Sequence, residues 1–213
     1  VLHIPIFAFD RSPQPRFRGG EDWPSIRKEK TRFCVALSSY ANHTVKERTG
    51  FFHALNRRQR IDSPGRGLNN TGFSGIADKL ALYRSYRFVL AFENKERLGW
   101  TTEKMYDPLA AFAIPIFWGD RNASKYFNPD SFINAHDFQS HDELADYICH
   151  VDQTPDLYEK YLRASPFHNN QPPVEFSRER VLHFFEKIFQ ARIQPIAQRR
   201  WFFPLTKWRL AKR

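Results

Sequence analysis

The segment from Tyr86 to Gly119 constrains the fold more than any other part of the chain. It opens with a β-rich run, Tyr86 to Glu93, that is apolar on both faces, as central parallel strands are. A polar turn, helical periodicity from Thr102 to Phe112 and a second apolar run, Ile114 to Trp118, follow it. This order of strand, helix and strand predicts an α/β fold with a parallel sheet.

The remainder of the chain repeats this alternation of apolar runs and helical patterns. Further strands are predicted at Phe33 to Ser39 and Ser131 to Asn134. Further helices are predicted at Val45 to Arg58, Ile76 to Tyr83, Asp142 to Val151, Pro155 to Ala164 and Ser177 to Ala191. We expect Thr101 to cap the helix that follows it, because threonine is favoured at that position. Together these elements predict one doubly wound parallel sheet.

Two segments lack such periodicity and are predicted to be irregular. Residues 1–30 consist of an apolar run from Val1 to Phe9, interpreted as a terminal strand, and a Pro/Arg/Gly-rich linker from Ser12 to Gly20. The stretch from Ser63 to Gly72 is rich in glycine and asparagine and is predicted to be a flexible loop. Because the chain opens on Val1 rather than methionine, we interpret it as a fragment.

The composition indicates a globular protein that favours anionic partners. Of the 213 residues, 41% are hydrophobic and 26% charged, and the formal net charge is +10. Such a balance favours nucleic acid, an anionic lipid surface or a diphosphate ligand. No run reaches the roughly 18 apolar residues that a membrane span needs. The two cysteines, Cys34 and Cys149, do not make a disulfide framework, and we expect Cys34 to be buried in a protein of a reducing compartment.

Several catalytic motifs are missing from the sequence. It contains no HExxH pair, no Asp-x-Asp, no Gly-x-x-x-x-Gly-Lys and no Gly-x-Ser-x-Gly. Zinc protease, P-loop NTPase and α/β-hydrolase functions therefore lack support, and we expect no obligatory metal.

Three polar residues, Asn94, Glu103 and Lys104, lie where a strand leads into a helix. Open α/β sheets bind phosphorylated ligands at such junctions. Each residue also has an ordinary explanation: Asn94 as a turn initiator, Glu103 as a complement to the helix dipole and Lys104 as a solvated charge. In favour of function, a carboxylate accepts from two vicinal ribose hydroxyls, and an ammonium neutralises a diphosphate leaving group. The chemistry therefore suits a sugar nucleotide.

This region resembles the α-1,3/1,4-fucosyltransferase family. The donor-binding half of that family carries Tyr-Lys-Phe-x-Leu-x-Phe-Glu-Asn, then Thr-Glu-Lys, Pro-x-x-x-Gly, Ser-Phe-Ile and Asp-Phe. The chain has the corresponding residues in the same order: Tyr86, Phe88, Leu90, Phe92-Glu93-Asn94, Thr102-Glu103-Lys104, Pro115, Gly119, Ser131-Phe132-Ile133 and Asp137-Phe138. The resemblance runs roughly from residue 31 to residue 190. It implies a Rossmann-like doubly wound parallel sheet with C-terminal helices, the C-terminal half of a GT-B glycosyltransferase.

The resemblance also implies roles for individual residues. Glu103 and Lys104 contact the donor ribose and phosphate, and Arg48, followed by Phe51-Phe52, matches a phosphate-binding arginine. Asn94 is a donor-binding residue at the carboxyl end of its strand.

Three further positions are interpreted beside these. Trp100 stands where the family commonly has tyrosine, and it either packs against the fucose or the base or staples the helix start. Lys79 matches a family lysine, with structural and donor-binding interpretations equally open. Glu93 is expected to be structural and to pair with a nearby base.

As a whole, the resemblance implies inverting transfer of fucose from GDP-fucose to a GlcNAc or Glc hydroxyl. The glycan acceptor is expected to be a bacterial surface polysaccharide or lipopolysaccharide, with no cofactor and no obligatory metal. The general base is expected in the missing N-terminal acceptor domain, so the catalytic residue is unknown, and the chain alone is expected to bind donor but to turn over poorly or not at all. The alternatives are another nucleotide-sugar glycosyltransferase and a non-catalytic nucleic-acid-binding protein.

Three parts are predicted along the chain. Residues 1–30 are the end of a missing N-terminal acceptor domain plus a linker, residues 31–175 form the GDP-fucose-binding domain, and residues 176–213 form a helix and a basic aromatic tail. The tail, residues 191–213, has seven basic residues and no acid, which suits an anionic membrane surface, single-stranded nucleic acid or packing on the protein body. We favour the membrane, with no nucleic-acid partner, and expect a cytoplasmic protein peripheral to the bacterial inner membrane; the alternative is the Golgi membrane.

Overall fold

A single parallel sheet organises the protein. The structure is a computed structural model, and it describes residues 18–38, 46–72, 76–173 and 177–190. Within these ranges five strands are hydrogen-bonded in the order β2-β1-β3-β4-β5. The strands are β1 (Arg32–Ala36), β2 (Ile61–Asp62), β3 (Tyr86–Phe92), β4 (Ile114–Trp118) and β5 (Ile133–Asn134). The helices are α1 (Trp23–Glu29), α2 (Lys46–Asn56), α3 (Lys79–Arg84), α4 (Glu103–Ala110), α5 (His141–Gln153), α6 (Pro155–Arg163) and α7 (Arg178–Gln190). This is the predicted α/β fold with a doubly wound parallel sheet.

Successive side chains of a strand point to opposite faces of the sheet, and their contacts show which helices cover each face. In β3, Phe88, Leu90 and Phe92 belong to the core cluster that α2, α5 and α6 build, whereas Val89 and Ala91 point to the face covered by α3 and α4. Helix α2 packs beside α5, and α3 packs beside α4. Because β3 is buried on both faces, it is the central strand that its continuous apolar run predicted.

The N-terminal region differs from the prediction. Residues 1–30 were expected to be irregular, but α1 occupies Trp23–Glu29, and the Asp22 carboxylate accepts a hydrogen bond from the Ser25 amide at 3.2 Å. The helix has no fully buried residue and packs on the core only through the partly buried Trp23 and Ile26, which are too few to form an apolar stripe that sequence could reveal. The predicted strand from Val1 to Phe9 and most of the predicted linker lie outside the described residues.

The cap of α4 is Thr102 rather than the predicted Thr101. The Thr102 hydroxyl accepts from the Lys104 amide at 3.4 Å, and the helix begins at Glu103. The Thr101 hydroxyl instead donates to Asp120 Oδ2 at 3.2 Å. Both threonines are buried, and the partner that draws Thr101 away from the helix start lies in the turn after β4, which local sequence cannot specify.

The segment after β2, predicted to be a flexible loop, is fastened to the sheet. Asn70 accepts from the Ser63 amide at 2.8 Å and donates to the Ile61 carbonyl at 2.7 Å. The Gly67 amide donates to the Ser38 carbonyl at 3.0 Å, next to the end of β1. The loop therefore forms a fixed wall beside the carboxyl ends of β1 and β2.

The described residues fall into two compact units, 18–173 and 177–190. The second unit is α7, in which the rings of Phe185 and Phe189 stack with centroids 6.5 Å apart. Across the described ranges, no helix combines the length and apolarity that crossing a bilayer requires. Cys34 is buried as predicted, and burial raises the pKa of its thiol well above the ordinary value. The basic tail predicted for residues 191–213 lies outside the described residues.

Candidate functional site

The strand order identifies a crevice at the carboxyl ends of β1 and β3. From β1 the chain crosses to β2 on one side and later returns to β3 on the other, so the connections diverge between β1 and β3. Ligands of open α/β sheets bind at such a switch point. The starts of α2 and α4 and the residues directly after β3 reach this edge, and they carry four of the six predicted donor-binding residues: Arg48, Asn94, Glu103 and Lys104.

Arg48 is held against the end of β3. Its side chain is buried, with 7% of the residue exposed, and Nη2 donates to the Phe92 carbonyl at 2.6 Å and to Asn94 Oδ1 at 2.9 Å. Burial lowers the pKa of Arg48, and the nearby Glu93 carboxylate opposes that shift. Because arginine remains protonated in proteins, the guanidinium provides a fixed positive charge beside Asn94. The structure thus brings Arg48 and Asn94 together.

Lys104 is anchored by the fully buried Glu93. Lys104 Nζ lies 3.1 Å from Glu93 Oε2, while the amide and hydroxyl of Thr102 donate to Glu93 Oε1 at 2.8 and 2.6 Å. The pairing that was predicted for Glu93 is therefore present, and its partner is the predicted phosphate-binding lysine. About a quarter of the Lys104 side chain is exposed, so the ammonium is fixed in position and still reachable by a ligand.

Glu103 is an ionised acceptor at the first turn of α4. Burial raises the pKa of its carboxyl, but the Lys104 ammonium, the backbone amide of Glu103 and Lys79 together outweigh burial, so the pKa lies below its ordinary value. Lys104 Nζ lies 3.3 Å from Glu103 Oε1. A carboxylate that is deprotonated at neutral pH accepts hydrogen bonds only, which is what vicinal hydroxyls require.

The other two predicted residues lie at the margins of this centre. Lys79, at the start of α3, pairs with the buried carboxylate of Asp107 in α4, so a structural role is evident for it. Trp100 is 46% exposed, and its ring centroid is 5.9 Å from the Arg97 guanidinium. A ring this exposed does not fit the hydrophobic staple that was one interpretation of Trp100.

Two grooves flank the centre along the same edge of the sheet. The first groove, about 380 Å³, lies beside the ends of β1 and β2 and is lined by Leu37, Ser38, Pro64, Gly65, Arg66, Ile76 and Lys79. The second groove, about 550 Å³, lies beside the ends of β3, β4 and β5 and the starts of α2 and α5. Its lining includes Glu47, Phe92, Trp118, Arg121, His136 and His141. Within the described ranges, no group of three or more His, Cys, Asp or Glu side chains is arranged to hold a metal ion.

Sequence reasoning missed the residues that shape the second groove. Glu47 Oε2 and His141 Nε2 lie 2.9 Å apart, and the Gly119 amide donates to His136 Nε2 at 3.4 Å. His136 lies between the motif residues Ile133 and Asp137, and His141 follows Phe138 by three residues, but the two histidines have no metal-ligand spacing. The available signal was positional, because Glu47 directly precedes Arg48.

Comparison with protein families identifies the family to which this chain belongs. Residues 26–185 match the model of the C-terminal part of glycosyltransferase family 10 (fucosyltransferase). The chain belongs to glycosyltransferase family 10. The match includes all six predicted site residues and every strand of the sheet.

Relatives in this family come from bacteria, a virus and animals. The α-(1,3)-fucosyltransferase FucT of Helicobacter pylori is 32% identical over 165 residues, which are 76% of this chain and 34% of that protein. The putative fucosyltransferase R654 of Acanthamoeba polyphaga mimivirus is 28% identical over 76% of this chain and 28% of its own length. Human α-(1,3)-fucosyltransferase 4 is 34% identical over 65% of this chain and 26% of its own. The chain thus spans about a third or less of these family 10 relatives.

Solved family 10 structures share the fold. A crystal structure of an α1,3-fucosyltransferase is 31% identical, with a TM-score of 0.72 over 78% of this chain and 47% of that one. A crystal structure of an α1,3-fucosyltransferase with GDP-fucose has a TM-score of 0.68, again at 31% identity, over 78% of this chain and 49% of that chain. The sheet of this chain is therefore that of the fucosyltransferase GT-B structures.

Proposed function

We propose that this chain provides the donor site of an α-1,3-fucosyltransferase that uses GDP-fucose. The observation that supports it best is the convergence of Arg48, Asn94, Glu103 and Lys104 at the β1/β3 switch point. A solved relative of 31% identity was crystallised with GDP-fucose.

Each residue has a defined part in this proposal. The Arg48 guanidinium and the Lys104 ammonium bind the diphosphate and neutralise the charge that develops on GDP as it leaves. The ionised Glu103 accepts from the ribose hydroxyls, and the Asn94 amide donates toward the phosphate or sugar while its oxygen holds Arg48. Lys79 and Trp100 lie at the periphery of the donor, where Lys79 adds positive charge and Trp100 offers an exposed ring.

The reaction we propose is inverting transfer to a GlcNAc or Glc hydroxyl of a glycan, such as a bacterial surface polysaccharide or lipopolysaccharide. Inversion requires a general base to take the acceptor proton, and we assign no residue of this chain to that role. Two cationic side chains at the diphosphate support catalysis without an obligatory metal or cofactor.

We further propose that residues 191–213 dock on an anionic membrane surface, because basic and aromatic residues are interspersed there, and that the protein works at the cytoplasmic side of that membrane.

Calorimetric titration tests the donor assignment. The chain is titrated with GDP-fucose, GDP-mannose and UDP-galactose in the presence of chelator, and the titration is repeated with Lys104→Ala. Because Lys104→Ala leaves the buried Glu93 carboxylate unpaired, the double variant Glu93→Gln/Lys104→Ala is the matched control for folding. We expect selective binding of GDP-fucose by the parent chain and loss of binding in both variants.

Other outcomes point to the alternatives. Preference for UDP-galactose would indicate a different nucleotide-sugar transferase. Salt-dependent RNA binding without any nucleotide-sugar binding would favour the nucleic-acid interpretation instead. Binding that persists in both Lys104 variants would contradict the role proposed for the ammonium.

A further inference from the structure

We propose that a third groove, at the amino ends of the strands, is a binding site for an anionic sugar residue, that is, a sugar ring that bears a carboxylate or phosphate group. The groove has a volume of about 450 Å³ and is formed by residues of α1 and α6: Trp23, Pro24, Arg27, Lys28, Glu159 and Arg163. This inference goes beyond the proposed donor function and does not depend on it.

The third groove lies at the opposite end of the sheet from the donor crevice. Helix α1 leads into the amino end of β1, and the Trp23 ring packs edge-on against Phe112, which precedes β4, with ring centroids 5.9 Å apart. In α6, Tyr158 packs against Phe88 near the start of β3. Because β3 has seven residues, the two ends of the sheet are about 23 Å apart at this strand. A ligand in the third groove therefore occupies a separate site from the nucleotide sugar.

Among the described residues, three cationic side chains and one carboxylate line this groove. The side chains of Arg27 and Arg163 are 57% and 55% exposed, and both pair with Glu159: Arg27 Nη1 lies 3.1 Å from Oε1, and Arg163 Nε lies 2.5 Å from Oε2. Lys28, next to Arg27 in α1, adds an exposed ammonium. Because one carboxylate does not neutralise three cations, the lining keeps an excess of positive charge, while Glu159 holds two guanidinium groups in place.

Trp23 provides the apolar surface on which a sugar ring packs. Its ring is partly buried against the core, so its orientation is fixed, and the Arg163 guanidinium lies 5.4 Å from the ring centroid. The Arg18 guanidinium lies 5.8 Å from the same centroid and 4.3 Å from that of Phe112, and its buried Nη1 has no hydrogen-bond partner within the described ranges. An aromatic face beside convergent polar groups is the usual composition of a small-molecule site.

The chemistry of the groove favours a sugar over nucleic acid. The arginines use one nitrogen each for Glu159, so their remaining N–H groups can donate to a carboxylate or phosphate on the sugar. Each Glu159 oxygen keeps a further lone pair that can accept from a sugar hydroxyl. The same carboxylate repels a phosphodiester chain. Single-stranded nucleic acid stacks on successive rings, whereas Trp23 is the single aromatic residue that the structure describes in this lining.

Binding of acidic and neutral sugars tests the site. Dissociation constants for trigalacturonate, glucose 6-phosphate and neutral maltotriose are measured by calorimetry at about 0.15 M salt, where long-range attraction between exposed charges is screened. The parent chain is compared with Arg27→Gln/Lys28→Gln and with Arg163→Gln, which change exposed side chains. The matched control, Arg57→Gln/Arg60→Gln, removes two charges from exposed arginines beside β2.

We expect at least one acidic sugar to bind the parent chain, and maltotriose to bind too weakly to measure. The sugar that binds identifies the anionic group that the site prefers. Its affinity should fall about tenfold in Arg27→Gln/Lys28→Gln and detectably in Arg163→Gln, but should stay within about twofold of the parent in the control. GDP affinity should be the same in all four proteins, because the donor crevice lies at the other end of the sheet. Residues 191–213 are present in every protein and contribute equally.

Several outcomes would overturn this inference. A folded parent chain that binds neither acidic sugar would do so. Equal weakening in the control would show attraction by net charge alone, and displacement of the sugar by GDP would place it in the donor crevice. Binding of a single-stranded oligonucleotide more tightly than either sugar, with loss in Arg27→Gln/Lys28→Gln, would assign the groove to nucleic acid instead. Failure of the parent chain to bind GDP would contradict the proposed donor function and leave this site standing.

Discussion

Gly119 lies directly over the side chain of Glu93. A methyl group at position 119 would come within 2.7 Å of Glu93 Cγ and 2.8 Å of Glu93 Cβ, closer than carbon atoms can pack. The absence of a side chain after β4 therefore allows the Glu93 carboxylate to remain buried after β3, where it holds Lys104 and Thr102. Through Glu93, the glycine after β4 therefore helps to position the Lys104 ammonium at the start of α4.

Replacing this glycine tests that link. Gly119→Ala is expected to lower the free energy of unfolding by about 1–3 kcal/mol, because overpacking forces a buried side chain to move. GDP-fucose affinity should also fall, since Lys104 loses its anchor. Urea unfolding and calorimetry measure the two effects. Gly19→Ala, where nothing lies within 4 Å of the added carbon, is the control. A Gly119→Ala protein with parental stability and affinity would contradict the link.

The Glu93–Lys104 pair should show strong coupling in a double-mutant cycle. Lys104→Ala is expected to cost about 3 kcal/mol of unfolding free energy, because it leaves a buried carboxylate without its cation. Adding Glu93→Gln should recover part of that loss, since the amide oxygen can still accept from Thr102 while the charge is gone. Urea denaturation of the four proteins gives the coupling energy. Purely additive effects would show that the ion pair does not hold Lys104.

Replacing Arg48 with lysine should weaken nucleotide binding even though the positive charge is retained. Nη2 donates to both the Phe92 carbonyl and Asn94 Oδ1, and an ammonium at the end of a flexible stem does not reproduce the planar guanidinium. We expect Arg48→Lys to weaken GDP binding about tenfold or more in calorimetry. Arg57→Lys, an exposed arginine just after α2, is the control. Retained affinity would indicate that charge alone suffices at position 48.

Lys30 should make stability depend on pH. Burial lowers the pKa of its ammonium to about 7, and Nζ donates to the Ala111 carbonyl at 2.7 Å and the Tyr83 carbonyl at 3.4 Å. In the unfolded chain the same group titrates near its ordinary value of about 10.4. The unfolded state therefore binds more protons between these values, and the free energy of unfolding should rise with pH from about 7 to 10.

Urea unfolding across this pH range, on the parent chain and on Lys30→Met, checks the prediction. The Lys30→Met protein should lose most of the rise, because methionine fills the space without a titrating group. A rise of equal size in both proteins would assign the pH dependence to other residues.

The strands of this fold could be predicted well from sequence, because buried parallel strands are continuous apolar runs. Strand β4 has the predicted bounds, and β3 ends one residue earlier than expected. By contrast, β2 has two residues and no periodicity to detect, and its pairing with β1 depends on tertiary structure. Helix α1 was missed for a related reason, since it buries no residue completely.

In the site, the residues that could be predicted from sequence were those of the family motif. The proximity of Arg48 to Asn94 follows from the switch-point topology once the strands are recognised. Trp100 was expected to be packed in one interpretation, but nothing in its local sequence indicated that the turn would leave it exposed. Gly119 and Glu93 follow two neighbouring strands and pack so closely that no side chain fits at position 119. No pattern of residue types in a sequence specifies a contact of this kind.

The sheet order also has a consequence for how the chain folds. Every strand pairing among the described residues is parallel, so none can form as a local hairpin. The central ladder pairs Arg32 with Tyr86. Strand β1 can therefore pair with β3 only after α2, β2 and α3, which lie between them in the chain, have been synthesised. Folding rates fall as such non-local contacts dominate. During synthesis β1 is complete well before β3, so we expect one edge of this apolar strand to stay open to intermolecular pairing until β3 has been synthesised.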